Sequence, residues 1–462
     1  MPIELFYPDM NASPIKKTVV PQENQAGAIA RASTGGLAQI WMARICFRLG
    51  VAIHLLVLSL LQAWRRWIKP TTKREADGVT ILLTGTFYSD NWLMNKIRPL
   101  VGCERTKAIY IVCTREIVPM EKVHHLAPPR WLCKTLGDTP ARLLMFGLVA
   151  VRIRPNVIGG YHLLANGLAA QMLALLVGAK SVYLSCAGPN EVIGGGYRTG
   201  SWFRLLRRPD PVLERQLLAA VRRFDCIVAK GPKTAHFFRQ FGVKTLISLI
   251  PGGIDASPLQ YRGESKLFDI MILARLYSVK RIDIFIRTVE ALRNSGFCVQ
   301  AAIVGSGEDE NDLRKLTEEL GLAEAIKFAG HQDDIGWWLK RARVFVLTSE
   351  SEGLAMSLVE AMMAGLPAVV PDVGELGMLV ADGVNGYLVG DLAPESFAAK
   401  IANLLTDDVT WARFSAAASR AAREMDLHST SREWEAIFRH LGLLADPQAP
   451  TTMVRQSAAA VQ

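Results

Sequence analysis

The feature that most constrains this 462-residue chain is a pattern that runs twice: short apolar runs, often ending near a glycine, alternating with stretches of helical periodicity. In the first half the runs are VTILLTG (79–85), AIYIVCT (108–114), SVYLSCAG (181–188), CIVAKG (226–231) and LISLIPGG (246–253). Strands buried on both faces read this way, because a parallel sheet covered by helices has no polar face. Helical stretches over 163–179 and 212–224 lie between them, which gives a β-α-β order. The pattern restarts with FDIMILARL (268–276), CVQAAIVGSG (298–307), AIKFAGH (325–331), VFVLTSE (344–350), AVVPDVG (368–374) and GYLVGD (386–391). Helices over 281–295, 309–320, 355–365 and 394–405 separate these runs. The expected fold is α/β, with two Rossmann-like doubly wound domains facing each other across a cleft. The length agrees, being too great for one ordinary core.

The two halves meet near residues 252–266, which are rich in Gly, Pro and Ser. The expected organisation is a disordered segment over 1–36, an apolar and basic helical segment over 37–70, a first domain over 71–252 and a second over 253–428. A helix over 429–444 and a loose tail over 445–462 complete it. In open α/β sheets ligands bind outside the carboxyl ends of the strands, so residues that follow strands are the candidates for chemistry.

Three such places carry polar groups. ILARLYSVKRIDIFI (272–286) puts Arg275, Lys280 and Arg281 after a strand. Cations there suit a diphosphate, and solvated loop cations fit the same spacing. VGSGED (304–309) is a strand-to-helix turn in which Gly305 and Gly307 either let backbone N–H groups approach a ligand or serve the turn alone. SESEGLAMSLVEAMMAG (349–365) runs from a strand end into a helix, with Glu352 in the turn and Glu360 on the helix. Eight residues at about 1.5 Å each separate the two by about 12 Å, too far for a carboxylate dyad but suited to two polar parts of one elongated ligand. Ionised carboxylates only accept hydrogen bonds, and sugar hydroxyls donate them. A salt bridge for Glu360 is the alternative.

The formal charge of +10 favours an anionic partner, for which nucleic acid, anionic lipid and a nucleotide all qualify. The basic residues are spread and no base-stacking or groove-reading motif occurs, so nucleic acid is excluded. The seven cysteines are scattered without a CxxC pair, which suits a reducing compartment and gives no zinc pattern. LGVAIHLLVLSLLQAW (49–64) holds no formal charge and is followed by Arg65, Arg66, Trp67 and Lys69. It is short for a span; a helix lying in a membrane interface, a buried helix and a true span remain open. The loop with Trp202, Phe203, Arg204, Arg207 and Arg208 would likewise suit anionic lipid or stand solvated.

EGLAMSLVE, from Glu352 to Glu360, resembles the E-x7-E signature of retaining GT-B glycosyltransferases of family 4. LIPGGID (249–255) is similar to that family's entry into its nucleotide domain, with Gly where Asn is usual, and ILARLYSVK to its GRL…K segment, with Ala274 for Gly. Matching segments follow in the family's order over roughly 225–395. The resemblance implies a UDP- or GDP-sugar donor bound by the second domain, and retaining transfer that needs no metal and no cofactor. It assigns the diphosphate to Arg275 and Lys280, sugar hydroxyls to Glu352, the ribose to Glu360, and sugar or phosphate contacts to the backbone of Gly353, Leu354 and Ala355. His162, in GGYHLL, falls where the family often has a His that reaches the donor sugar. The family's Gly-Gly loop after the first strand is here TGTFYSDNW (84–92), with Gly85 alone. The expected partners are the nucleotide-sugar, a glycan or lipid-linked acceptor and an anionic membrane surface, with the protein cytoplasmic at the inner face of that membrane. A GT-B epimerase or phosphorylase, or a non-catalytic GT-B binding protein, is the alternative.

Overall fold

A computed structural model describes residues 34–67, 78–87, 90–186, 188–192, 206, 209–250, 252–261 and 263–444, with residues 34–38, 66, 67 and 91 described by backbone only. The expectations for residues 1–33 and 445–462, and for the basic loop around Trp202, lie outside these residues.

Seven parallel strands form the first sheet: β1 (Val79–Thr84), β2 (Thr106–Val112), β3 (Val123–Leu126), β4 (Val157–Tyr161), β5 (Lys180–Leu184), β6 (Cys226–Ala229) and β7 (Leu246–Leu249), in the order β3-β2-β1-β4-β5-β6-β7. Six more form the second: β8 (Phe268–Leu273), β9 (Ala301–Val304), β10 (Ile326–Gly330), β11 (Ala342–Val346), β12 (Ala368–Pro371) and β13 (Gly386–Val389), in the order β10-β9-β8-β11-β12-β13. The central strands are buried along their length, which is why they read as unbroken apolar runs. In each sheet the order reverses once, between β1 and β4 and between β8 and β11, and a crevice opens at such a switch point.

Two strands, β3 and β4, have no counterpart among the apolar runs in the sequence. β4 reads VIGGY, and its glycines look like a turn. They are there because neighbours press on the strand: a Cβ on Gly159 would lie 2.8 Å from Leu83 Cδ2, and one on Gly160 2.4 Å from the Asn166 backbone oxygen.

Helices α1 (Thr34–Trp67), α2 (Asp90–Val101), α3 (Asp138–Ile153), α4 (Leu168–Val177), α5 (Pro211–Val221) and α6 (Pro232–Gln240) belong to the first sheet. The second carries α7 (Met356–Met363), and α8 (Leu427–His440) follows it. Trp434, Ile437 and Phe438 of α8 pack into the core of the first domain with Leu93, Ile97 and Leu100 of α2. The linker threads between these helices: Gly253 N–H donates to the Asn95 carbonyl at 2.9 Å. A Cβ on Gly253 would stand 2.5 Å from both Pro99 Cγ and Thr430 Oγ1, so only glycine passes.

The apolar run 49–64 is the middle of α1. One face docks on the first domain through Val51 and Leu58, both buried, through His54 on Gln171 (2.9 Å) and through Arg48 on Asp210 (2.8 Å). The other face leaves Trp41, Leu49, Ile53, Leu56 and Leu60 more than half exposed. Residues Gln39–Arg65 are long and apolar enough to cross a membrane by length and composition, with a mean hydropathy of 1.9, although 11% of the most apolar window is buried against the protein.

Candidate active site

The residues that follow β8 and β11 meet at the second switch point. Lys280 Nζ lies 2.5 Å from Glu352 Oε1, and Ser349 Oγ donates to the same oxygen at 2.7 Å. The Glu352 side chain is 8% exposed and that of Lys280 19%, so this is an ion pair shielded from water rather than a surface one. Two contacts hold the loops together: Thr348 Oγ1 donates to the carbonyls of Lys280 (3.1 Å) and Arg281 (2.8 Å), and Glu350 N–H to that of Val279 (2.9 Å). Arg275 stands apart, exposed, with its guanidinium 5.3 Å from the ring centre of Tyr277.

Gly305 and Gly307 serve packing. A Cβ on either would fall 1.9 Å from the Ala274 carbonyl oxygen or 2.1 Å from that of Leu276, because the turn after β9 lies against the loop after β8. Gly374 (φ +56°) allows the same approach to the Glu352 and Gly353 carbonyls, and Glu375 N–H then donates to Gly353 at 2.9 Å. Leu354 and Ala355 are buried in the second core, so their backbone alone is offered at the turn.

Glu360 lies further along α7 and forms no salt bridge among the described residues. Its partner is the Asn95 side chain of α2, across the cleft. Burial raises its carboxyl to about 7, and the Asn95 hydrogen bond only partly opposes this. A carboxylate so desolvated is costly to the fold, and perturbed groups of this kind gather at functional sites.

The first domain supplies the opposite wall. His162 adopts a left-handed φ of +65°, sparsely populated for a non-glycine residue, immediately after β4. Glu191 holds it there, accepting from Leu163 N–H (2.8 Å), the Tyr183 hydroxyl (2.6 Å) and Cys186 N–H (2.7 Å), while His162 Nδ1 lies 3.4 Å from Glu191 Oε1. Burial disfavours the charged ring, but the Cys186 sulfur and the Glu191 carboxylate outweigh it and hold the His162 pKa well above the ordinary value. His162, Cys186 and Glu191 present ligand atoms within 4.8 Å of one another, as a metal site would. The Glu191 oxygens are already engaged by three donors, which suits a scaffold for His162 better than a metal ligand.

Gly85 packs against Tyr161, which with Phe87 and Trp92 forms an aromatic cluster of ring centres 5.5–5.9 Å apart. Lys96 belongs to this wall, lining a cavity with Tyr161 and Cys186, and Lys230 reaches across to Gly353. A pass over sequence motifs misses them because each is a single polar residue on a different element. Only Lys230 carries a signal, since in CIVAKG it directly follows the strand.

Two doubly wound domains with cations and carboxylates gathered at their facing strand ends define a GT-B protein. Residues 260–425, within the second domain, match the family described as Glycosyl transferases group 1, that of glycosyltransferase family 4. The chain is 37% identical over 89 residues to the Vi polysaccharide biosynthesis protein VipC/TviE of Salmonella typhi, which covers 19% of this chain and 15% of that protein. It is 25% identical over 356 residues to a D-inositol 3-phosphate glycosyltransferase of Frankia alni, covering 70% and 82% of the two chains. Among solved structures, HepE of Anabaena in complex with UDP superposes with a TM-score of 0.61 at 18% identity, over 78% of this chain and 99% of that one.

Proposed function

We propose that the protein is a retaining glycosyltransferase that moves a sugar from a UDP-linked donor to a glycan or lipid-linked acceptor at a membrane surface, without a metal ion. The observation that carries the reading is the cleft between the domains. On one side the Lys280–Glu352 pair and the exposed Arg275 lie beside the Gly353 turn, and on the other Asn95 reaches Glu360. A diphosphate arriving here exchanges places with a carboxylate: Lys280 turns from Glu352 to phosphate, and Glu352 is released to accept from sugar hydroxyls. The bond from sugar to diphosphate then breaks with its electron pair on phosphate, where Lys280 and Arg275 receive the charge, and the acceptor hydroxyl attacks on the vacated face, its proton passing to the departing phosphate oxygen. UDP as the nucleotide is supported by the UDP complex of HepE, and a glycan acceptor by the polysaccharide role named for VipC/TviE.

The membrane part rests on α1. Its exposed stripe recurs every three or four residues, and Leu144, Leu148 and Val151 of α3 are 49%, 62% and 61% exposed. Both helices pack against α4, so the apolar surface extends beyond one helix. Soluble monomers rarely expose contiguous apolar patches of this kind. The reading places the protein on the cytoplasmic face of a membrane, within reach of a lipid-linked acceptor.

The test is ligand-induced thermal stabilisation with UDP, GDP, ADP and their sugar conjugates, since a ligand of the native state raises stability by RT ln(1 + [L]/Kd). A shift with UDP and its conjugates is expected. The absence of a shift with every nucleotide would overturn the reading.

A further inference from the structure

The backbone on either side of His162 is held at each of its polar groups. The His162 N–H donates to the Leu184 carbonyl (3.3 Å), and the His162 carbonyl accepts from Gly167 N–H (2.9 Å). Glu191 accepts from the next N–H, that of Leu163. The remaining group is the Tyr161 carbonyl, which shares a rigid plane with the His162 N–H. Rotation of that plane about the N–Cα bond is the φ of His162, here +65°. The Tyr161 carbonyl accepts from Asn166 Nδ2 at 2.7 Å, and Asn166 Oδ1 accepts in turn from Arg142 Nη1 at 2.8 Å. The same Nη1 donates at 2.8 Å to Oγ1 of Thr84, the last residue of β1. Arg142 and Asn166 are each 4% exposed, so water is a poor substitute for either.

A guanidinium can only donate. Opposite Arg142 the Asn166 amide must present its oxygen, which leaves its NH2 to face the Tyr161 carbonyl. Arg142 thus decides which way the amide points, and the amide fixes the peptide plane that leads into His162. Ala165, at φ +67°, is a second left-handed residue of the same loop. A loop strained at two points persists only because its surroundings over-determine it.

We propose that Arg142 and Asn166 are positioning residues that hold His162 toward the donor sugar and, through Thr84, tie it to the end of β1. The proposal rests on the glycosyl-transfer reading above. It adds two residues that act through His162 rather than on the substrate.

The test compares the full-length wild type with Arg142→Met, Arg142→Lys and Asn166→Asp. The first readout needs no substrate: NMR of isotope-labelled histidine follows the His162 ring signal, assigned by its loss in His162→Ala. Arg142→Met should move or broaden that signal and leave those of His331 and His440 in place, and Arg142→Lys should restore it. Asn166→Asp keeps a partner for Arg142 but cannot donate to Tyr161, so it should move the signal as well. The second readout is UDP release from UDP-glucose, UDP-galactose and UDP-N-acetylglucosamine with water as acceptor. On the donor that is cleaved, Arg142→Met and Asn166→Asp should lower kcat about tenfold or more, with UDP affinity within about threefold of wild type. In the His162→Ala background Arg142→Met should lower kcat no further. An unmoved His162 signal in Arg142→Met overturns the proposal, and so does an additive loss in the double variant. If the wild-type protein binds no UDP, GDP or ADP, the glycosyl-transfer reading has failed instead, and the NMR readout still decides whether the two residues hold His162. Where circular dichroism shows Arg142→Met unfolded, Asn166→Asp takes its place in both readouts.

Discussion

Glu360 is a residue whose cost is visible before its use. Its carboxyl is raised to about 7 from 4.5, so between these values the folded state holds a proton that the unfolded chain has released, and stability falls as pH rises through this window. The penalty is complete above pH 7 and amounts to about 3 kcal/mol at most. Glu360→Gln should therefore melt higher than wild type at pH 8, with the difference shrinking toward pH 5, and yet bind the nucleotide at least tenfold more weakly. A purely structural glutamate would lose stability and binding together. Arg275 and Lys280 should behave differently from each other. Arg275→Ala, at an exposed position, should leave the melting temperature unchanged and lower turnover by about 100-fold, a typical loss for one charge-stabilising group. Lys280→Ala strands a nearly buried Glu352, and should cost about 3 kcal/mol in urea unfolding as well as turnover.

At the scale of elements, α1 is attached by a row of apolar contacts and several polar ones, of which the Arg48–Asp210 pair is an ion pair. Asp210 is fully buried, accepts from Val212 and Leu213 N–H at the start of α5 and pairs with Arg48 of α1. Burial alone would raise its pKa, but Arg48 and the helix N–H groups outweigh burial and hold it below 3.8. Its stabilisation is therefore complete above the unfolded value and is lost as pH falls through the lower, folded one. Asp210→Ala should cost about 1–2 kcal/mol, the loss of a cap, and loosen α1. Faster amide exchange over 44–60 in the variant is the readout; unchanged exchange would mean that the remaining contacts suffice to hold the helix. The opposite face of α1 has its own test. Leu49→Glu with Leu56→Glu should abolish sedimentation with vesicles containing anionic lipid and leave nucleotide binding intact. Retained sedimentation would remove α1 from the membrane contact.

At the scale of the whole molecule, the domains are tied by a helix cap supplied from the other side. Gly231, at the start of α6, has no side chain to offer, and the buried Glu375 of the second domain accepts from Lys233 N–H (3.0 Å) and from Thr234 N–H and Oγ1 (both 2.7 Å). The Lys233–Asp372 pair at 3.3 Å flanks it. The cap joins the loop after β12, which also holds Gly353, to the first domain, so it couples the relation of the domains to the donor turn. Glu375→Ala should cost about 1–2 kcal/mol and enlarge the radius of gyration of the nucleotide-free protein measured by small-angle scattering. An unchanged radius would show that α8 and the linker suffice to hold the domains.

What the sequence determined by itself was local. Apolar runs closed by glycines foretold the strands buried on both faces, because burial removes the need for polar residues. The Glu352-to-Glu360 segment and the Lys280 loop were legible because each is contiguous and follows a strand. β4 was not legible, since its glycines answer to Leu83 and Asn166, which are distant in the chain. Only the tertiary structure decided that Gly305 and Gly307 face a neighbouring loop, that Glu360 meets Asn95 rather than a cation, and that Glu375 caps a helix of the other domain. It also decided that one stripe of α1 docks while the other stays open. Each of these is a relation between residues far apart in sequence. Lys96 on α2 and Lys230 after β6 form no motif in the sequence; only the fold sets Lys96 in a cavity beside Cys186 and Lys230 beside Gly353.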